Sequence, residues 1–564
     1  MLEVYSLESE QQRNSRRGID QIIKDITDPD TLDSARGAIT SLAQNKKTGR
    51  DYPRDIAKLV QKSPWLKTGF GSYFATVAGM KTTYGPRVMD YVNPTFGFYD
   101  GAQPIQVGSG VGCIEPFEGA LKLLNIGSRN PNRITQYDSP GGIYADRIAA
   151  ALLLNDKIAP GVVDSANDKN LFGLRDVYIT PGATNALNVA FEAWERFCKD
   201  QMIDNGVCVL GPAYYMTAMG AWDKDIAVER LIEERTDLEG VTKMLPTTKY
   251  LKENVSPGSN LLVITSPNNP NGEMYSEEEM RELLKFIQKN NKYLLVDSVF
   301  DQMIFENSEQ TPSVLALAQE LNILERIIVV DGLSKNINVA GERIGFIGTK
   351  NPEIERQINR IMITSLSNPS LTIGPLLQFE AAARLANYRN RNLYKDNLLA
   401  TQLTAALVNN ELQSAYGASF LEGVDTITFL DQRNSWVRSS QNLYESLLRV
   451  IGGTLREINR SSSRSPDSAA YNTFIGFESL GDNQGLDKII KMFTTTGVVP
   501  MGSECFGRRN PKDEFWTRIT YGGLRRDLLA TALTRIIAFF DVWEDLDMGN
   551  PNKFPVFNQE IPLI

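Results

Sequence analysis

The sequence predicts an α/β fold, a largely parallel sheet with helices on both faces, beside a smaller α+β lobe. Two observations predict it. Short apolar runs, "DVYIT", "GVCVL", "NLLVIT", "KYLLVD" and "RIIVVD", alternate with amphipathic helical stretches. A strand that is apolar on both faces belongs to a sheet covered on both. After a long helical region, strands return at "NTFIGFESL" and "FWTRITYGG", which read as the second lobe. At 564 residues the chain is too long for one ordinary domain.

In chain order, residues 1–95 read as a mostly helical extension, on the apolar spacing of "RGIDQIIKDI" and "RDIAKLVQK". Residues 96–130 are expected to join the small lobe, 131–375 to form the large domain, and 376–564 the carboxyl-terminal small domain with a helical insertion. Within the large domain, "DVYITPGATNALNVAFEAWERF" reads as strand, glycine turn and helix. "GVCVLGPAYY" and "NLLVITSPNNPNG" are strands running into loops, and "EEEMRELLKFIQKNN" is a helix. The polar run "NRSSSRSPDSAAY", Asn459 to Tyr471, reads as an exposed loop. In parallel sheets function collects at the carboxyl ends of the strands.

Composition narrows the chemistry. A net charge of −9 argues against nucleic acid or an anionic membrane as the main partner. No apolar run is long enough to span a bilayer, and "MLEVYSLESEQQRNSRRG" lacks the apolar segment of a signal peptide. Cys113, Cys198, Cys208 and Cys505 show no C-x-x-C spacing, as expected of free thiols in a reducing compartment. A cytoplasmic location is therefore expected. The chain has no histidine, which removes histidine-based triads, histidine metal sites and histidine proton shuttles. Acid–base work near neutrality falls to Lys, Asp, Glu, Tyr, Cys or a cofactor.

One lysine then stands out. Lys335 follows the apolar run "ERIIVVDGLSK", and Arg343 lies in the turn beyond it. With it come, in order, a glycine turn at a helix start ("TPGATNAL"), P-x-Y ("GPAYY"), N-P-x-G ("SPNNPNG"), a strand ending in Asp297, and a late strand arginine ("WTRITY"). This ordered series, from about Ile105 to the carboxyl terminus, resembles the aminotransferase class I/II family, fold type I enzymes that use pyridoxal 5′-phosphate. The resemblance implies a mixed, mostly parallel sheet of the seven-stranded, aspartate aminotransferase type. It implies Lys335 as the Schiff-base amine that moves a proton between substrate Cα and the cofactor, and Asp297 as the carboxylate on the pyridine nitrogen. A Schiff base needs a desolvated or pKa-lowered amine. Arg343, Ser334 and the backbone of Gly182, Ala183 and Thr184 match the phosphate cup, at a helix start suited to an anion. Asn269 matches the amide on the phenolic oxygen, and Tyr214 the ring that stacks on the cofactor, with Tyr215 a rival for that place. Arg518 matches the arginine that grips the substrate carboxylate in a bidentate pair, beside Asn269 and Gly110. Tyr137, in "QYDSPGG", resembles the tyrosine that reaches the neighbouring subunit's phosphate, which implies a homodimer with shared sites.

Two departures stand against that pattern. Phe300 occupies the place of a tyrosine three residues after the strand aspartate, and Gly332 the place of a phosphate-binding serine three before the lysine. Without the tyrosine hydroxyl, the lysine–cofactor imine is expected to hold its proton over a wider pH range. Arg508 and Arg509, in "CFGRRNPKDEFW", read either as a solvated pair or as ligands for a distal acidic group or phosphate. The expected activity is transfer of an amino group from an amino acid to a 2-oxo acid. The alternative is a lyase, decarboxylase or carbon–carbon bond-forming enzyme on the same residues.

Overall fold

The computed structural model describes residues 23–44, 105–108, 110, 112, 114–129, 139–159, 171–305, 313–365, 370–389, 425–458, 461–466, 468–478, 496, 498–508 and 514–542. The helix expected at "RDIAKLVQK", Tyr137, Cys113 and Arg509 lie outside the described residues.

The main sheet has seven strands: β1 (Val177–Pro181), β2 (Gly206–Leu210), β3 (Val228–Leu231), β4 (Ser259–Thr265), β5 (Tyr293–Asp297), β6 (Ile327–Gly332) and β7 (Ile344–Thr349). Their order is β1-β7-β6-β5-β4-β2-β3. β7 is antiparallel to both its neighbours, β1 and β6, and the remaining pairs are parallel. Side chains alternate across a strand, and here both sets are apolar. Leu262, Ile264, Leu294, Val296 and Val329 enter one core, while Leu261, Val263, Leu295, Ile328 and Val330 enter the other.

The helices that matter below are α1 (Pro29–Gln44), α2 (Glu118–Ser128), α3 (Tyr144–Ile158), α4 (Ala183–Gln201), α5 (Tyr215–Trp222), α6 (Glu277–Lys289), α7 (Pro352–Ser365), α8 (Ser370–Arg389), α9 (Thr426–Ile458) and α10 (Arg526–Val542). α4 and α7 cover one face through Phe191, Trp194, Ile354 and Ile358. Leu153 of α3, Leu283 of α6 and Leu377 of α8 belong to the other core. α6 starts sharply because Ser276 and Glu279 cap each other: the Glu279 amide donates to the Ser276 hydroxyl at 3.2 Å and the Ser276 amide to the Glu279 carboxylate at 3.0 Å.

A second, antiparallel sheet has the order β8-β9-β11-β10, from β8 (Ser461–Arg464), β9 (Asn472–Glu478), β10 (Met501–Gly502) and β11 (Glu514–Thr520). The amino-terminal stretch Ile105–Gln106 pairs with Val498–Val499, and Thr520 N donates to Val107 O at 2.6 Å. α1 meets α10 through Arg36 and Asp541. The run from Asn459 to Tyr471 is not the exposed loop its composition suggests. Ser461–Arg464 is a strand, and Ser465 and Ala469–Tyr471 are buried. Backbone bonds hold it in place: Phe305 N donates to Ser468 O at 3.2 Å and Ala470 N to Met303 O at 2.7 Å. Such bonds leave no mark on hydropathy.

Candidate active site

Topology gathers the singled-out residues before any side chain is considered. β1, β2, β4, β5 and β6 share one direction, so their carboxyl ends lie on one edge of the sheet; β7 runs the other way, so its amino end lies there too. Gly182 follows β1, Tyr214 follows β2, Asn269 follows β4, Asp297 ends β5, Ser334 and Lys335 follow β6, and Arg343 precedes β7.

Lys335 Nζ donates to the Gly110 carbonyl at 2.5 Å. Burial, then the Arg518 charge, lower its ammonium to about 8; Asp297 pulls it back up and Arg343 pushes it down. Arg518 comes from β11, where it stands opposite Phe474 and Met501. Its Nη1 donates to Asn269 Oδ1 at 2.9 Å and its Nη2 to the Gly108 carbonyl, and its guanidinium lies 4.9 Å from the centre of the Phe506 ring. A Cβ at Gly110 would sit 3.4 Å from both Arg518 terminal nitrogens, so that loop lies in van der Waals reach of the fork.

Asp297 is buried at 5% exposure. Its Oδ1 accepts from Val299 N at 3.3 Å. Burial pushes the carboxyl up to about 7, opposed by the Val299 amide, with nearby Asp331 adding to the rise and Lys157 and Lys335 opposing it. Behind it runs a charged cluster that sequence reasoning did not single out. Lys157, from α3, reaches Asp331 at 2.5 Å, Asp301 at 3.1 Å and the Ser298 hydroxyl at 2.8 Å. Arg384, from α8, meets Asp301 at 3.1 Å, and Asn336 donates to Asp301 at 2.6 Å. Burial raises Asp331 despite Lys157; although burial opposes it, Lys157 and Arg384 hold Asp301 below the usual carboxylate range. Asn336 follows Lys335 directly, so this cluster anchors the turn that carries the amine. Its signal in the sequence was a lysine inside the apolar helix "ALLLNDKI".

Gly182 has φ +84°, and a Cβ there would run into the Arg343 guanidinium. Arg343 is exposed and donates to the Ala340 carbonyl at 3.1 Å and the Pro181 carbonyl at 3.4 Å. Asn185 and Ala186 donate to Gly182 O, so the amides of Ala183 and Thr184 are the helix-start donors. Ser334 is buried beside Lys335. Tyr214 and Tyr215 are half-buried with rings 4.6 Å apart, and the Arg518 charge reaches Tyr215, so both aromatics stand at the β2 end. Gly332 pairs with Gly345, and a Cβ there would strike the Ile344 carbonyl; no serine fits. Phe300 is buried, edge-on to Tyr471 at 5.4 Å. Arg508 is not solvated. Its Nε and Nη2 each donate to a Glu234 carboxylate oxygen at 2.8 Å, and it lies over Trp516, so it is committed within the protein.

Among the described residues, no group of His, Cys, Asp or Glu could hold a metal ion, and no helix is long and apolar enough to cross a membrane. Cys198, Cys208 and Cys505 are buried thiols outside any disulfide among the described residues. The chain is similar to the glutamate-pyruvate aminotransferase AlaA of Haemophilus influenzae, 27% identical over 294 residues, covering 49% of this chain and 66% of that relative. It is similar to the aspartate/prephenate aminotransferase of Thermus thermophilus, 25% identical over 316 residues, covering 49% of this chain and 76% of that one. The match to the Escherichia coli AlaA covers 55% of that relative's length. In fold it resembles the aspartate aminotransferase of Thermotoga maritima, with a TM-score of 0.56 at 17% identity over 82% of this chain and 97% of the other. The sequence model of aminotransferase class I and II matches residues 177–536, from the first strand of the main sheet well into α10. This chain belongs to the aminotransferase class I and II family.

Proposed function

We propose that the protein is a pyridoxal 5′-phosphate-dependent aminotransferase that moves an amino group from an amino acid to a 2-oxo acid. One observation carries the reading. A half-buried amine lowered to about 8 and a buried carboxyl raised to about 7 face each other electrostatically from neighbouring strand ends. Opposed shifts of this kind mark acid–base sites.

The residues fit such a cofactor. Asp297 is an acid whose pKa burial raises, and a protonated pyridine nitrogen beside it would offset that cost and favour the carboxylate. At the start of α4, Gly182 lets the Arg343 guanidinium lie directly against the backbone, which sets a cation beside helix-start amides, as an anion-binding site requires. When bound, the cofactor supplies an aldehyde and a ring that takes up the electron pair released at the substrate Cα. Lys335 would tether it through Nζ and, once free, take the proton from Cα. Asp297 would hold the proton on the ring nitrogen. Arg343, Ser334 and the amides of Ala183 and Thr184 would bind the phosphate, the Gly182 amide being taken by the Thr180 carbonyl; Asn269 would bind the phenolic oxygen, and Tyr214 or Tyr215 the ring face. Arg518, beside Gly110, would bind the amino acid's carboxylate. We also infer a homodimer, with Tyr137 reaching the second copy's phosphate.

Phe300 supports a second reading on the same residues, a lyase, decarboxylase or carbon–carbon bond-forming enzyme. Its buried ring offers no hydroxyl beside the cofactor's oxygen. Presenting single amino acids to the purified protein separates the two. Build-up of the pyridoxamine form together with a 2-oxo acid is the result expected. Turnover that leaves the cofactor unchanged favours the second reading, and no reaction with any amino acid contradicts both.

A further inference from the structure

Two donors meet at one acceptor beside Arg518. The Gly110 carbonyl takes Lys335 Nζ at 2.5 Å and the phenol of Tyr471 at 3.3 Å, and a carbonyl oxygen has lone pairs for both. Tyr471 is fully buried. Its ring is edge-on to Phe300 at 5.4 Å and tilted against Tyr444 at 5.3 Å, and a Cβ on Gly522 would come within 2.6 Å of it. Its backbone is fixed as firmly. Ala470 holds φ +66°, Ala470 N donates to Met303 O at 2.7 Å, and Tyr521 N donates to Tyr471 O at 3.0 Å. On the other side a Cβ at Gly272 would strike the Ala469 carbonyl, so the asparagine loop closes on the same segment. The phenol has one place to go, and that place is Lys335's acceptor.

We propose that Tyr471 is a positioning residue for Lys335, its neutral phenol fixing and sharing the Gly110 carbonyl that holds the ε-amine. The inference rests on the reading of Lys335 as the cofactor-bearing amine. Burial raises the phenol well above its ordinary pKa, against the Arg518 charge, so it donates without ionising. A second donor on the oxygen makes it a weaker acceptor for the ammonium, which favours release of the Lys335 proton. Among the described residues, the charged groups facing Lys335 are Arg518 from β11, Asp297 from β5 and Arg343 before β7, and Arg518 also faces Tyr471.

The test uses the cofactor-free protein, with dinitrofluorobenzene labelling of Lys335 followed against pH by peptide mass. Tyr471→Phe keeps the ring and removes the hydroxyl. Its labelling midpoint is expected to rise by about half to one pH unit, because the ammonium then has the carbonyl to itself. An unmoved midpoint in the folded variant overturns the proposal. Fluorotyrosine incorporated into the unsubstituted chain preserves the packing and strengthens the phenol as a donor, and should move the midpoint down. If Tyr471→Phe does not fold, an unmoved midpoint in the fluorinated protein overturns the proposal by itself. Borohydride trapping of pyridoxal 5′-phosphate on Lys335, run in parallel, tests the underlying reading separately. Failure to trap in the unsubstituted protein sinks that reading; normal trapping with unmoved midpoints sinks only the role of Tyr471.

Discussion

On one wall of the site Asn269, Asp297 and Lys335 each stand at the end of their own parallel strand, while on the other Gly110, Tyr471 and Arg518 meet only through tertiary contact. Gly110 and Lys335, bonded across the two walls, are 225 residues apart in the chain. The first wall is set by strands apolar on both faces, whose burial fixes direction and therefore where each strand ends. The second depends on the antiparallel small sheet, on the Ser468–Tyr471 segment and on glycines at points of close approach. On the proposed function, the strand-end wall would hold the proton chemistry, and the assembled wall would hold the substrate and tune the amine. Substitutions in the two should fail in different ways.

The largest expected effect is on the first wall. Asp297→Asn keeps the shape and removes the charge, and should lower kcat roughly 10³-fold. A second readout follows from pH. Because burial raises the folded-state pKa of Asp297 to about 7, the folded protein binds more protons than the unfolded chain from the ordinary carboxylate range up to that value. Its contribution to stability is complete at low pH and is lost as the pH rises through about 7. Asparagine cannot ionise, so the cofactor-free variant should gain about 2–4 kcal/mol on the parent between acid and pH 8, measured by urea unfolding. A difference that does not change with pH would refute the raised carboxyl.

Next comes the cluster beneath that wall. Lys157→Met leaves Asp331 and Asp301 buried without the cation between them, and should cost about 3 kcal/mol of stability by urea unfolding. A loss under about 1 kcal/mol would show the cluster to be solvated, as for an exposed pair. The smallest effect belongs to the assembled wall. Arg518→Lys exchanges a fork for a point charge and should raise KM about 10–100-fold, with kcat changed much less. Equal losses in both constants would remove the division of labour between the walls.

How much of this was legible follows the same division. Asp297, Asn269, Lys335 and Arg343 each border an apolar run that can only be a buried strand, so pattern and chemistry coincide at one position. The partners of the second wall share no local pattern. Tyr471 ends a run of serines and small polar residues whose burial comes from backbone bonds to Met303 and Phe305. Lys157 finds Asp301 and Asp331 only once α3 packs against β1 and β7. Arg508 was open to two readings, a solvated cation or a substrate ligand. Glu234 and the Trp516 ring, supplied from elsewhere in the chain, make it neither. Gly332 as the departure from serine was visible, but its cause, the Ile344 carbonyl of the adjacent strand, was not.

The most direct measurement is borohydride reduction of the protein loaded with pyridoxal 5′-phosphate, followed by peptide mass mapping. The pyridoxyl label should appear on the peptide containing Lys335 and vanish in Lys335→Ala. A label on another lysine, or none, would contradict the account.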